Sequence, residues 1–191
     1  MFFNRNTQKN EEKHKPSPCT SLSRSLNKLN IQYRKEKQGG LSKEFYHQAK
    51  AMEISIEICD KAMKNLSTQY MERFSAFKES KDPIQSLESL NEAEKIWKKE
   101  ARVIEKLDPS EKESAFLKRM REQALTVLEN KLIEASENNL THSAHKNAAL
   151  CLGILGIMDR ILDELGYPKN AKTRDRLSRI AKSFIAPARK G

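Results

Sequence analysis

The stretch AALCLGILGIM, residues 148–158, is the one place in the chain where eleven residues pass without a charge or a polar amide. It is too short to span a bilayer, which takes roughly 20 apolar residues. Asp159, Arg160, Asp163 and Glu164 follow it closely. The surrounding signals are those of a soluble helix starting near Thr141 and ending at Gly166, with Pro168 beyond. Through its middle the helix is apolar on every side. Later Ile154, Met158, Ile161, Leu162 and Leu165 narrow to one face. A helix apolar all round in a soluble chain is surrounded by other helices, so this one is expected at the centre of the core. Gly153 and Gly156 each cost about 1 kcal/mol of helix propensity. Close neighbours are therefore expected against both.

The rest of the chain supplies those neighbours. DPIQ at 82–85 and DPSE at 108–111 each set Asp at an N-cap, Pro at the first helical position and Gln or Glu three residues after the cap. They predict helices over 83–107 and 109–137. Upstream, Phe45, Ala49, Met52, Ile56, Cys59, Met63, Leu66, Tyr70, Phe74 and Phe77 recur at spacings of three and four. This is one apolar stripe on a long helix that bends. Ile54 and Ile58 fall on its opposite side and predict a second packing contact. Leu22, Leu26, Leu29 and Tyr33 mark a short amphipathic helix, closed by Gly39–Gly40. Near the other end, Leu177, Ile180, Ala181, Phe184 and Ile185 share one arc of a basic helix over 170–186. The fold class expected is all-α: an antiparallel helical bundle of four main helices plus a C-terminal basic amphipathic helix, with a disordered N-terminal tail. The division follows as 1–20 disordered basic tail, 21–40 short amphipathic helix and Gly linker, 41–166 helical bundle, and 167–191 basic C-terminal helix and tail.

Charge is divided as sharply as structure. Of a net +10, residues 1–40 carry nine Lys/Arg against three Glu, and residues 167–191 carry eight against one Asp. The stretch between holds nineteen basic and twenty-two acidic side chains. The three cysteines, Cys19, Cys59 and Cys151, are odd in number and far apart. They fit neither a disulfide scaffold nor a metal pair, so free thiols in a reducing compartment are the expectation. No apolar segment of the kind that forms a secretory signal follows Met1. A cytoplasmic location is expected, or delivery into a host cell by a route that needs no such signal.

The chemistry-bearing residues are sparse. Glu44 and His47 have the one-turn spacing of di-metal bundles, but no second copy exists. His142 and His145, with Glu134 or Glu137, read as polar residues at a helix start. Cys59 and Cys151 lie in apolar stripes, where a thiol packs as a small hydrophobe and its thiolate is disfavoured. Trp97 falls with Leu90, Ala93, Ala101 and Ile104 on the core face of its helix. No glycine-rich phosphate loop is present. Catalytic residues, a metal site and a cofactor are accordingly not expected.

The basic ends carry the functional expectation: a non-enzymatic helical protein–protein interaction module that docks on an acidic partner. Arg174, Arg176, Arg179, Lys182 and the apolar anchor Phe184 would make the contact, with Lys28, Arg34, Lys35 and Lys37 second. Two other classes compete. Basic tails also fit nucleic acid or an anionic membrane surface, though no helix-turn-helix, zinc finger or aromatic–basic interleaving is present. The Asn/Ser/Thr/Lys-rich start resembles in composition the N-termini of type III secretion substrates, which implies a secreted bacterial effector.

Overall fold

The computed structural model describes residues 19–36, 43–107, 111–137, 144–168 and 179. Among them there is helix and no strand, and five helices pack together. Helix α1 is Thr20–Glu36. A continuous rod follows, made of α2 (Lys43–Asn65), a π-helical turn (Leu66–Tyr70) and α3 (Met71–Glu79). Then come α4 (Pro83–Leu107), α5 (Glu111–Glu137) and α6 (Ala144–Glu164). None is long and apolar enough to cross a membrane.

Local chemistry sets the breaks. Asp82 Oδ1 accepts the backbone N–H of Ile84 at 2.7 Å and of Gln85 at 3.1 Å, and Pro83 opens α4 where no N–H is needed. Ser86 Oγ donates to the Phe77 carbonyl across the corner. Lys131 Nζ, reaching over from α5, donates to the carbonyls of Lys78 and Ser80 at the end of α3. Gly166 ends α6 at φ 75°, the left-handed conformation glycine adopts without strain. The π turn sits where the rod's apolar stripe takes two steps of four in a row, Leu66–Tyr70–Phe74. An α-helix of 3.6 residues per turn would rotate that stripe off its face, and the wider turn takes up the excess. Ser67 and Thr68 hydroxyls bond the Met63 and Lys64 carbonyls there.

Three expectations need correction. First, the centre of the packing is α4, which touches α2, the π turn, α3, α5 and α6. α6 packs mainly on α4 and α5, and two neighbours leave part of a helix's circumference to water. That outward stripe runs through Ala149, Leu152, Gly156 and Asp159, with Leu152 56% exposed. A Cβ at Gly153 would collide with Leu87 Cδ1, whereas one at Gly156 would meet nothing within 4 Å. Close approach thus explains the first glycine and not the second.

Second, Cys19 and Cys59 form a disulfide, with Cα atoms 6.2 Å apart and both residues fully buried. The two lie about twenty residues to either side of Gly39–Gly40. When α1 runs back along α2, it brings them level. Cys19 and Thr20, assigned to the tail by composition, thus belong to the folded part, and the free thiol is Cys151.

Third, Ile54 and Ile58 stay 48% and 47% exposed, and no second packing contact covers them among the described residues. The rod's apolar stripe is shared in sequence instead. Its first half faces α1, where Phe45, Ala49, Met52 and Ile56 are half-buried. Its second half, from Cys59 to Phe77, is buried in the main core.

Candidate functional site

On α5, Leu117, Arg121, Ala124, Leu128, Lys131 and Ala135 follow at spacings of four and three, and all six are buried. Two of these core positions are therefore cationic. Lys131 is the cap described above. Arg121, 2% exposed, is held from two sides. Its Nη1 and Nη2 donate to Glu94 Oε1 and Oε2 of α4, at 2.6 and 3.2 Å. Its Nε and Nη2 donate to Glu164 Oε2 and Oε1, at the end of α6, at 2.7 and 3.2 Å. The guanidinium carbon lies 4.1 Å from the centroid of the Trp97 ring, a cation–π contact. Burial works against its charge. The hydrogen bonds and charge of Glu94, followed by the charge of Glu164, outweigh that and hold its pKa above the ordinary value.

Aromatic rings wall this cation. Tyr70 lies 5.5 Å from Trp97 and 5.5 Å from Phe74, and Phe74 lies 5.5 Å from Phe77. The Tyr70 hydroxyl is buried at the end of the π turn beside the Arg121–Glu94 pair, and burial pushes its pKa up. The carboxylates differ in setting. Glu94 is buried, with its side chain 5% exposed, whereas the Glu164 side chain is 40% exposed.

Outward from Glu164 and Arg121 opens a cleft of about 1120 Å³ between α4, α5 and the end of α6. Trp97, Ala101, Val103, Leu117 and Leu165 give it an apolar floor. The exposed side chains of Lys95, Lys98, Lys99 and Arg102 of α4, with Lys118 of α5, line its rim, and the acidic lining residues are Glu105 and Glu164.

The residues singled out in the sequence lie elsewhere or beyond description. Lys28 and Arg34 are exposed on α1, Lys35 falls in its last turn, and Arg179 is exposed. Lys37, Arg174, Arg176, Lys182 and Phe184 lie outside the described residues, as does His142. Among the described residues no three His, Cys, Asp or Glu gather as metal ligands, and His47 is exposed with its ring edge-on to Tyr46. Cys151 is buried, and burial pushes its thiol up to about 11. No family model, curated protein or solved structure matches this chain.

The cleft lies toward the C-terminal ends of α4 and α6. Tyr70 faces Trp97 and Arg73 pairs with Glu92. Each step back along the rod is thus matched by a step forward along α4, and Cys59 comes level with the last turn of α4. Cys19, bonded to it, is where residues 1–18 join. Residues 169–191 follow α6, whose Leu165 lies in the cleft beside Arg102 and Val103.

Proposed function

We propose that this chain is a non-enzymatic helical module that grips an acidic protein partner, with its main helices running up and down around α4. The reading rests on the cleft, where five exposed cations ring an apolar floor. An acidic amphipathic segment of a partner would lay its apolar face on the half-buried Val103 and Leu165, above Trp97, Ala101 and Leu117, and its carboxylates against the lysines. This is the groove mode of peptide recognition. Arg174, Arg176, Arg179, Lys182 and Phe184 of the C-terminal segment, with Lys28, Arg34, Lys35 and Lys37 on and just after α1, would add further positive charge. They also attract the partner at longer range.

A synthetic helix of about five turns, with Leu along one face and Glu elsewhere, is a direct probe. Trp97, the only tryptophan, reports its docking by fluorescence. Replacing Lys98, Lys99, Arg102 and Lys118 together by Gln should weaken binding at least tenfold and leave helix content unchanged. Wild-type binding should fall steeply with added salt. If a DNA duplex of matched charge binds more tightly than the peptide, the nucleic-acid reading takes its place.

A further inference from the structure

We propose that Glu164 is an exchangeable counter-ion, occupying on Arg121 the seat that a carboxylate of the acidic partner takes on docking. The proposal rests on the acidic-partner reading and adds the point of attachment. Its basis is the asymmetry of the two forks around the guanidinium. Glu94 and Arg121 already form a neutral buried pair, joined by two hydrogen bonds and covered by Trp97. Glu164 is the surplus charge. Exchanging it for another carboxylate leaves the charge of the buried cluster unchanged, so the exchange avoids the large cost of stranding a buried cation.

Glu164 is also placed to leave. It is the last residue of α6, two before the left-handed Gly166, and its side chain is 40% exposed on the wall of the cleft. A carboxylate at a helix C-terminus meets the negative end of the dipole, and no basic residue in that turn offsets it. The dipole of α6 therefore does not oppose the swing of Glu164 into water. The freed Nε and Nη2 of Arg121 then face the cleft as a fixed fork. A guanidinium fork matches a carboxylate with two parallel bonds, and the half-buried Val103 and Leu165 of the cleft would receive the apolar side of the incoming segment.

Two measurements test this separately from the broader reading. In Glu164→Ala the fork is vacant. Sodium acetate should raise the melting temperature of that variant above the value in sodium chloride of equal ionic strength, by more than it does for wild type. In Glu164→Gln the competing charge is gone and the shape is kept. The Glu/Leu peptide should bind this variant about threefold to fivefold more tightly, the loss of one part-exposed ion pair. Equal response to the two salts, together with unchanged peptide affinity, overturns the exchange while leaving the rim's role intact. A peptide that binds neither wild type nor Glu164→Gln overturns both the exchange and the acidic-partner reading, even where acetate fills the fork.

Discussion

Single residues in this protein are explained by what a Cβ or a charge would meet. The two glycines of α6 look alike in sequence and differ in space. Gly156→Ala should stabilise by about 0.5–1 kcal/mol, since alanine is the better helix former and the position is open. Gly153→Leu should destabilise by about 1–3 kcal/mol through overpacking against Leu87. Thermal melts of the two variants, with Leu87→Ala added to the second as relief, check this. The apolar run 148–158 revealed a packed helix, but hydropathy could not show which part of it faces water. Arg121 and Lys131 make the complementary case. Each occupies a core position of the α5 stripe, and that spacing was readable. Their partners Glu94, Glu164 and the α3 carbonyls are contributed by other helices, so only the tertiary structure shows why a cation belongs there.

At the scale of elements, two helix boundaries were legible from their caps, whereas the start expected at Asp108–Pro109 lies outside the described residues. Asp82–Pro83 starts α4 at the residue predicted, and Gly166 stops α6. The π turn was written in the sequence as two consecutive steps of four, which periodicity alone registers as a bend. The disulfide was legible only once a hairpin about Gly39–Gly40 is assumed, because pairing depends on register between helices and not on cysteine count. Its role should be confined to one element. Among the described residues of α1 and its start, Cys19 alone is fully buried, and the helix rests on α2 through the half-buried Leu22, Leu26, Leu29 and Tyr33. Closing a loop with a sequence separation of 40 is worth about 3–4 kcal/mol in the chain-entropy account. Reduction, or Cys19→Ser, should therefore release α1 to proteolysis near Arg24 and Lys28 at trypsin levels that leave residues 59–164 uncut. Protection of those sites in the reduced protein would show that apolar contact alone holds the helix.

Across the whole molecule, stability should fall in alkali and not near neutrality. The Cys151 thiol is held up to about 11 from its ordinary 9.0, and the Tyr70 phenol is also raised by burial. Both stay protonated in the fold at pH values where the unfolded chain has ionised. The unfolded state then binds fewer protons, and unfolding becomes easier as pH rises. The contribution of Cys151 is complete below pH 9 and lost progressively up to about pH 11. Denaturant midpoints measured across that window should drop for wild type and drop less for Cys151→Ala. The Cys19–Cys59 bond has one more effect at this scale. It makes residues 19–59 a closed covalent ring, from which residues 1–18 leave as one branch and residues 60–191 as the other. A protease that cuts once between α1 and α2 opens the ring without dividing the molecule. The basic N-terminal arm would then travel with the rest as a single species, separating only when a reductant is added.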